Sequence, residues 1–288
     1  MLGLLISARP RQWTKNILIL AAPAAAGLLG HGNVIGRLCI TIVAFCLLSS
    51  GGYLINDALD VDHDRAHPRK RLRPIAAGVV PRTLAFVVGT LMFLGGFALA
   101  GSMGWWVLGI AVAYVVLTVS YSMLLKHEPV VEMIILAAAF VLRAAAGAAT
   151  AGITLSPWFT IVVSFGALMM VAGKRQAEAS GLGSGASMTR RVLTRYPPGF
   201  LRFVWMMSAT ITVTGYCLWA LVPTASPEID SPWPELSVIP FVVGILRYAL
   251  LIESGVGEAP EEVFLTDRVL QIAGALWVGL YLTGVYVV

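Results

Sequence analysis

Four carboxylates lie within eight consecutive positions of the stretch GGYLINDALDVDHDRAHPRKRLRPIAAG, which begins at residue 51. They include Asp57, Asp60 and Asp64, and Asn56 precedes the first of them. On a helix that turns by about 100° per residue, Asn56, Asp60 and Asp64 share one face, with Asp57 at its side. Carboxylate and amide oxygens are the hard ligands that suit Mg²⁺. The stretch therefore predicts a magnesium site at Asn56, Asp60 and Asp64, with Asp57, Asp60 and Asp64 as the catalytic carboxylates.

A second interpretation of the same stretch is a solvated acidic helix end that forms salt bridges with the cations of Arg69–Arg73. Several like charges at a helix C-terminus are unfavourable, because the helix dipole is negative there. Under either interpretation, we expect a cation against the aspartates.

The composition indicates a membrane protein. Of the 288 residues, 58% are hydrophobic and only 12% are charged, whereas about a quarter of the residues of an ordinary soluble domain are charged. Apolar segments of about 20 residues are long enough to cross the hydrocarbon core of a bilayer. The sequence has about nine of them, so we expect an all-α, polytopic protein. The predicted spans are 15–30, 34–56, 82–101, 105–124, 131–153, 157–173, 200–223, 236–252 and 268–288.

The distribution of positive charge predicts the orientation. With nine spans and a cytoplasmic N-terminus, eighteen of the 20 Lys and Arg residues fall on the cytoplasmic side, the exceptions being Arg37 and Arg143. Positive charge is retained in the cytoplasm, so the C-terminus is expected outside. The net charge of +5 is therefore a topology signal, and we expect no nucleic-acid partner.

The polar segments indicate one domain with its chemistry on the cytoplasmic side. No linker or low-complexity tract interrupts residues 1–288, which we expect to form a single transmembrane domain. The three longest polar segments, 57–81, 174–199 and 253–267, are all predicted to be cytoplasmic active-site loops. The first two follow spans that are four apart, which hints at two related four-helix halves.

Charged and polar side chains inside or at the ends of spans are further candidates. Arg143 lies within the fifth span, where an unpaired charge costs several kcal/mol, so it must face water or a partner. Glu132 lies three turns away, and a structural Glu132–Arg143 pair is an alternative to a substrate-binding role. Lys15, Tyr121 and Lys126 lie at cytoplasmic ends of helices, where they either bind substrate or anchor the helix at the interface.

The segment NDALDVDHD fits the NDxxDxxxD signature of the UbiA superfamily of intramembrane prenyltransferases, and nine spans agree with the fold of that family. Further segments resemble one branch of it, the phosphoribosyltransferases that act on polyprenyl (decaprenyl) phosphate in actinobacterial cell-wall synthesis. These segments are RPRQWTKN, YLINDALDVDHDRAHPRKRLRPIAAGVVP, MVAGKRQAE, FLRFVW, ILRYAL and DRVLQ, and the resemblance runs almost end to end.

The chain departs from the usual pattern of the superfamily in one loop. Aromatic prenyltransferases of the superfamily carry a second aspartate-rich motif after the sixth span, where this chain has GKRQAEASGLGSG. Lys174 and Arg175 stand where carboxylates would be expected, and Glu178 is the only acidic residue. One metal motif with many cations suits a donor that carries phosphate at both ends and an acceptor that is itself a phosphate.

The resemblance implies an enzyme that transfers the 5-phosphoribosyl group of phosphoribosyl pyrophosphate (PRPP) to a polyprenyl phosphate, in arabinan precursor synthesis at the plasma membrane. It implies Mg²⁺ as cofactor, with Mn²⁺ as a substitute, and leaves homo-oligomerisation open. Two alternatives remain: prenyl transfer to an aromatic acceptor, and secondary transport of an anionic metabolite. The expected substrate-binding residues are Lys15, Tyr53, Lys70, Arg73, Tyr121, Lys126, Arg143, Lys174 and Arg175.

Overall fold

The computed structural model describes residues 2–68, 70–180, 192–221, 232–255 and 260–287. Within these ranges the chain forms twelve α-helices and no β-strand. The helices are α1 (Leu2–Ala8), α2 (Ala21–Ala25), α3 (Gly32–Leu59), α4 (Val61–Ala66), α5 (Arg82–Met103), α6 (Trp105–Met123), α7 (Val131–Ala151), α8 (Pro157–Ser180), α9 (Phe200–Leu221), α10 (Trp233–Glu253), α11 (Pro260–Thr266) and α12 (Arg268–Tyr286).

Eight of the helices found in the described ranges are long and apolar enough to cross a membrane. They are α3, α5 to α10 and α12, and they coincide with the second to ninth predicted spans. The prediction of an all-α, polytopic membrane protein is thus confirmed, whereas the cytoplasmic location of the N-terminus stays a prediction.

The first predicted span, 15–30, does not form one continuous α-helix. Pro10–Leu20 is a 3₁₀ helix of 11 residues, and α2 follows it directly with five more. Pro23 within α2 has no N–H to donate to the preceding turn, and Gly27 (φ 73°) adopts the left-handed conformation that ends the helix. At about 2.0 Å per residue for a 3₁₀ helix and about 1.5 Å for an α-helix, the combined segment rises about 30 Å. The segment is therefore long enough to be a ninth span, which stays a prediction.

The described chain divides into two compact units. The first comprises Met1–Pro23, Leu28–Leu124 and Leu142–Thr154. In this unit α3 and α5 pack closely because both carry glycine at the contact: a Cβ on Gly51 would lie 2.8 Å from the carbonyl oxygen of Gly89. The cytoplasmic ends predicted for these helices share a small buried core with the intervening loop, made of Leu54, Ala58, Val61, Ile75, Val80 and Ala85.

The second unit comprises Ala24–Gly27, Leu125–Val141 and Leu155–Val288. Its core is formed by α7 to α10, which contribute buried side chains such as Met133, Leu168, Trp205 and Ile252. Arg247 of α10 is bonded to Asp267, which accepts the backbone N–H of Leu270 and so caps the start of α12. These bonds, first of all the one from Arg247, hold the pKa of the Asp267 carboxyl below its usual range. The segments ILRYAL and DRVLQ thus meet in one structural ion pair.

Candidate active site

The aspartate stretch lies at the junction of α3 and α4. Asp60 terminates α3, and α4 begins at the next residue. Helical hydrogen bonds continue across the junction: the N–H of Asp60 donates to the carbonyl of Asn56 (2.9 Å), and that of Asp64 donates to the carbonyl of Asp60 (2.8 Å). Helical spacing is therefore kept through the motif, and Asp57 and Asp64, two turns apart, point in similar directions.

Two guanidinium groups hold the buried aspartates of the first unit. Asp57 and Asp64 are 3% and 2% exposed. Arg73 Nη1 donates to Asp57 Oδ1 (3.1 Å) and to Asp64 Oδ2 (2.7 Å), which ties the two carboxylates together. Arg9 Nη2 donates to both oxygens of Asp57, at 2.7 and 3.0 Å. The guanidinium of Arg9 also lies 4.6 Å from the centre of the Tyr53 ring. The predicted site residues Tyr53, Asp57, Asp64 and Arg73 are thus brought together around a residue that was not predicted.

Arg9 is this unpredicted residue, and its backbone is unusual. It has φ 53° and ψ 62°, the left-handed conformation that a non-glycine residue rarely adopts. Pro10 follows it and disfavours the right-handed α conformation at the residue before proline. Ser50 fixes the segment on α3, because it accepts the indole N–H of Trp13 and donates to the carbonyl of Ala8. A sequence signal existed: four clustered carboxylates require cations, and RPRQW supplies two arginines.

The salt bridges from Arg73 agree with the second interpretation of the aspartate stretch; Arg69 lies outside the described residues. Among the residues that the structure describes, no three His, Cys, Asp or Glu side chains converge closely enough to hold a metal ion. The donor set nevertheless fits Mg²⁺ chemically, since the junction carries two buried carboxylates within two helical turns and further oxygen donors at Asn56 and Asp60. The proposed metal ligands Asn56, Asp60 and Asp64 stay a prediction.

Arg143 is buried in the first unit and has protein partners. Its Nε donates to Asn16 Oδ1 and its Nη2 donates to the hydroxyl of Tyr114, each at 2.8 Å. The guanidinium also lies 4.7 Å from the centre of the Tyr114 ring. Asn16 in turn donates to Cys46 Sγ at 3.2 Å. These contacts meet the requirement for a partner within the span.

Glu132 pairs with Arg175. The alternative from the sequence, a structural pair of Glu132 with Arg143, is therefore wrong. In the second unit, Arg175 Nε and Nη2 donate to the two oxygens of Glu132 at 2.7 and 2.9 Å, while Nη1 donates to Glu178 Oε2 at 2.9 Å. Glu132 is 0% and Arg175 is 2% exposed. Most of the donor capacity of Arg175 is thus committed to carboxylates, which leaves little for a substrate phosphate.

The remaining predicted residues are distributed over both units. Lys15 lies on the 3₁₀ helix of the first unit, Lys70 begins a 3₁₀ turn (Lys70–Leu72) and Tyr121 lies near the end of α6. In the second unit, Lys126 lies in a 3₁₀ turn before α7 and Lys174 near the end of α8. Lys174 is half-buried, and within the described part of the chain its ammonium group has no hydrogen bond or ion pair. Of the three predicted loops, parts of 57–81, 174–199 and 253–267 lie outside the described residues.

Comparison with known proteins places the chain in a family. Residues 17–277 match the UbiA prenyltransferase family. The chain is 42% identical to a decaprenyl-phosphate phosphoribosyltransferase of Mycolicibacterium smegmatis, over 99% of this chain and 92% of that protein. It is 41% identical to the enzyme of the same name from Corynebacterium glutamicum, over 99% and 87%. A UbiA homologue from Archaeoglobus fulgidus, solved with DMAPP and Mg²⁺, has the same fold at 17% identity (TM-score 0.73), covering 98% of this chain and 99% of that one. The chain therefore belongs to the UbiA prenyltransferase family.

Proposed function

We propose that the protein transfers the 5-phosphoribosyl group of PRPP to a polyprenyl phosphate, with decaprenyl phosphate as the expected acceptor, and releases diphosphate. The observation that carries this proposal is the sequence identity of 41–42% to decaprenyl-phosphate phosphoribosyltransferases over nearly the whole of both chains. The site agrees with it, since buried carboxylates stand beside arginines that suit phosphate oxygens.

The aspartate junction is the proposed place of the cofactor. Asn56, Asp60 and Asp64 would hold Mg²⁺, for which Mn²⁺ would substitute, beside Asp57. A bound divalent cation would neutralise the charge that develops on the leaving diphosphate. The bond from the ribosyl C1 to the diphosphate oxygen breaks, and a bond from a phosphate oxygen of the lipid to C1 forms. No protein nucleophile is needed, so positioning and electrostatics carry the rate.

The cations have separate proposed roles. Lys70 and Arg73 bind phosphates of the donor, since both lie on the segment that folds back on the aspartates. Tyr53 and Tyr121 contribute to the substrate pocket. Arg175 is proposed to position Lys174, because its own guanidinium is held by Glu132 and Glu178. The cations that would divide between the 5-phosphate of the donor and the lipid phosphate are Lys15, Lys126, Arg143 and Lys174.

The two alternatives from the sequence are less well supported. A prenyltransferase acting on aromatic acceptors would share the family and fold, but near-full-length similarity is to phosphoribosyltransferases. A secondary transporter would place its charged site near the middle of the membrane, whereas the aspartates lie where α3 ends.

The protein is proposed to work as one transmembrane domain over residues 1–288, in the plasma membrane, with its active site facing the cytoplasm. The eight long apolar helices among the described residues support an integral membrane location. A cytoplasmic site is consistent with positive charge clustered beside the aspartate motif, since positive segments are retained on that side.

Release of diphosphate tests the proposed function. Purified protein in lipid nanodiscs is supplied with PRPP, polyprenyl phosphate and Mg²⁺, and diphosphate is measured by a coupled enzyme assay. We expect release only when both substrates and the cation are present. Release that is independent of the lipid would indicate hydrolysis of PRPP and contradict the proposal.

A further inference from the structure

A cavity of about 300 Å³ opens beside Asp57 in the first unit. Ser7 lines it and is 2% exposed, and its hydroxyl has no hydrogen-bond partner among the residues that the structure describes. A buried hydroxyl without a partner costs free energy, and this one can donate to an oxyanion. The other lining residues are Ile6, Arg9, Asp57, Leu72, Arg73 and Pro74.

The two arginines of this cavity are only partly used by the aspartates. Arg9 bonds Asp57 through Nη2 alone, and Arg73 bonds Asp57 and Asp64 through Nη1 alone. Within the described ranges, the other nitrogens of both guanidinium groups have no protein acceptor. The two side chains are 32% and 29% exposed. Both guanidinium groups can therefore bind an anion in the cavity, and their planar geometry suits phosphate.

The same arginines bond Asp64, a proposed metal ligand, and Asp57 beside it. Asp57 Oδ1 accepts from Arg9 at 2.7 Å and from Arg73 at 3.1 Å, which uses both of its lone pairs. Asp64 Oδ2 accepts from Arg73 at 2.7 Å. A divalent cation held by Asn56, Asp60 and Asp64 needs a lone pair of Asp64 and repels the guanidinium groups of Arg9 and Arg73. The cation and the arginine contacts therefore weaken each other.

We propose that Arg9 and Arg73 are exchangeable counter-cations, which neutralise Asp57 and Asp64 in the metal-free protein and transfer to phosphate oxygens of the donor in the cavity when a divalent cation binds at Asn56, Asp60 and Asp64. The guanidinium of Arg9 lies 4.6 Å from the centre of the Tyr53 ring, a cation–π contact that does not depend on the Asp57 oxygens. This inference rests on the proposed donor, PRPP, and adds Arg9 to the residues that bind it.

The exchange makes a thermodynamic prediction. An anion that draws the arginines away from the aspartates makes the carboxylates available to the cation, so each ligand raises the affinity for the other. Removal of either arginine removes a positive charge that repels the cation, and removal of Arg73 also frees an oxygen of Asp64. The variant should therefore bind the cation more tightly when PRPP is absent, and should respond less when PRPP is added.

Electron paramagnetic resonance of Mn²⁺ tests this without turnover. Full-length protein in nanodiscs is titrated with Mn²⁺ with and without PRPP, and no polyprenyl phosphate is added. In the wild type, we expect PRPP to tighten Mn²⁺ binding by about 5- to 150-fold, the usual range of such coupling. In Arg9→Gln and Arg73→Gln, Mn²⁺ alone should bind more tightly than in the wild type, and the effect of PRPP should shrink several-fold. Arg11→Gln removes an exposed charge two residues from Arg9 and should behave as the wild type.

The outcomes separate this inference from the proposed function. Two results would overturn the exchange while PRPP remains the donor. One is that PRPP changes Mn²⁺ affinity by the same factor in both variants as in the wild type. The other is that neither variant binds Mn²⁺ more tightly than the wild type when PRPP is absent. If PRPP has no effect on Mn²⁺ binding in the wild type, the assignment of PRPP as donor fails, and the exchange fails with it. A melting curve of each variant in nanodiscs checks that it is folded.

Discussion

At the scale of single residues, the motif NDALDVDHD contains aspartates with different environments. Asp64 is buried and bonded to Arg73, whereas Asp62 of the same short helix is exposed. The spacing of the motif predicted that Asn56, Asp60 and Asp64 share a face. It could not predict that Asp57 and Asp64 share one guanidinium, because that depends on how the chain from Lys70 onward folds back on the helix.

This difference within one helix gives a matched pair of variants. We expect Asp64→Asn to lower kcat/KM by about a hundredfold or more, since it removes charge that the transition state needs. Asp62→Asn should stay within about twofold, as substitutions at exposed positions usually do. Both are measured by diphosphate release at saturating Mg²⁺. Equal losses in the two variants would indicate a general effect of negative charge and contradict a specific role for Asp64.

Sequence reasoning identified the charged residues of the second unit but not their pairing. Arg175 was predicted to bind substrate, and Glu132 was left between two roles; the structure joins them in a buried bidentate ion pair. The pairing was not readable from the sequence, because the two residues are 43 positions apart and neither the α7–α8 packing nor the helix rotations are encoded in a local pattern.

At the scale of helices, this ion pair fastens α7 to α8. Glu132→Gln leaves Arg175 buried with an incomplete partner, and removing one partner of such a pair costs about 3–5 kcal/mol. We expect the Glu132→Gln variant to have a clearly lower melting temperature than the wild type in the same detergent. The double variant Glu132→Leu with Arg175→Leu should recover much of this stability, because replacing both charges by apolar groups avoids the unpaired charge.

Activity separates stability from function in this pair. If Arg175 positions Lys174, the stable double variant should show a raised KM for a phosphate substrate with kcat less affected. A double variant with wild-type KM would limit the pair to a structural role.

The first predicted span shows what apolar length alone does not reveal. A run of apolar residues predicted one α-helix over 15–30. The structure has a 3₁₀ helix over Pro10–Leu20 instead, which packs tightly against α7 and is followed by the short helix α2 with Pro23. A Cβ on Gly147 of α7 would overlap the backbone of Ile19, with its carbonyl carbon at 2.7 Å. The apolar length of 131–153 predicted α7 correctly, but it did not indicate that Gly147, the one glycine of α7, faces the 3₁₀ segment.

Gly147 therefore gives a sharp test of this packing. Gly147→Ala should destabilise the protein by about 1–3 kcal/mol or more, because the added methyl forces a backbone shift. Gly109→Ala in α6 is the control, since its Cβ would have no neighbour within 4 Å in the described part of the chain and alanine is more favourable than glycine in a helix by about 1 kcal/mol. Thermal unfolding of both variants in the same detergent makes the comparison. A Gly147→Ala protein as stable as the control would mean that the close approach to Ile19 is wrong.

At the scale of the whole molecule, the sequence predicted the class of fold from composition, because lipid-exposed helices need long apolar runs. Eight of its spans match helices in the described part of the chain. The first span, 15–30, stays a prediction, and the opposite locations of the two termini depend on whether residues 10–25 cross the bilayer.

Cysteine labelling decides the first span. In a background with Cys39, Cys46 and Cys217 replaced by alanine, Leu2→Cys and Asn33→Cys introduce exposed thiols on either side of that segment. An impermeant maleimide applied to intact cells should label Asn33→Cys, and should label Leu2→Cys only after the membrane is opened. Labelling of both positions from one side would remove the first span and reverse the predicted location of one terminus.

The most direct test of the account is the chemical identity of the lipid product. Purified protein is given PRPP and polyprenyl phosphate together with a prenyl diphosphate and an aromatic acid, with Mg²⁺ or with EDTA, and the lipids are analysed by mass spectrometry. We predict that polyprenyl phosphate gains one phosphoribosyl unit in the mixture with Mg²⁺ and not in the mixture with EDTA, and that the aromatic acid is unchanged in both. A prenylated aromatic product with unmodified polyprenyl phosphate, or a phosphoribosyl lipid formed equally well in EDTA, would contradict the account.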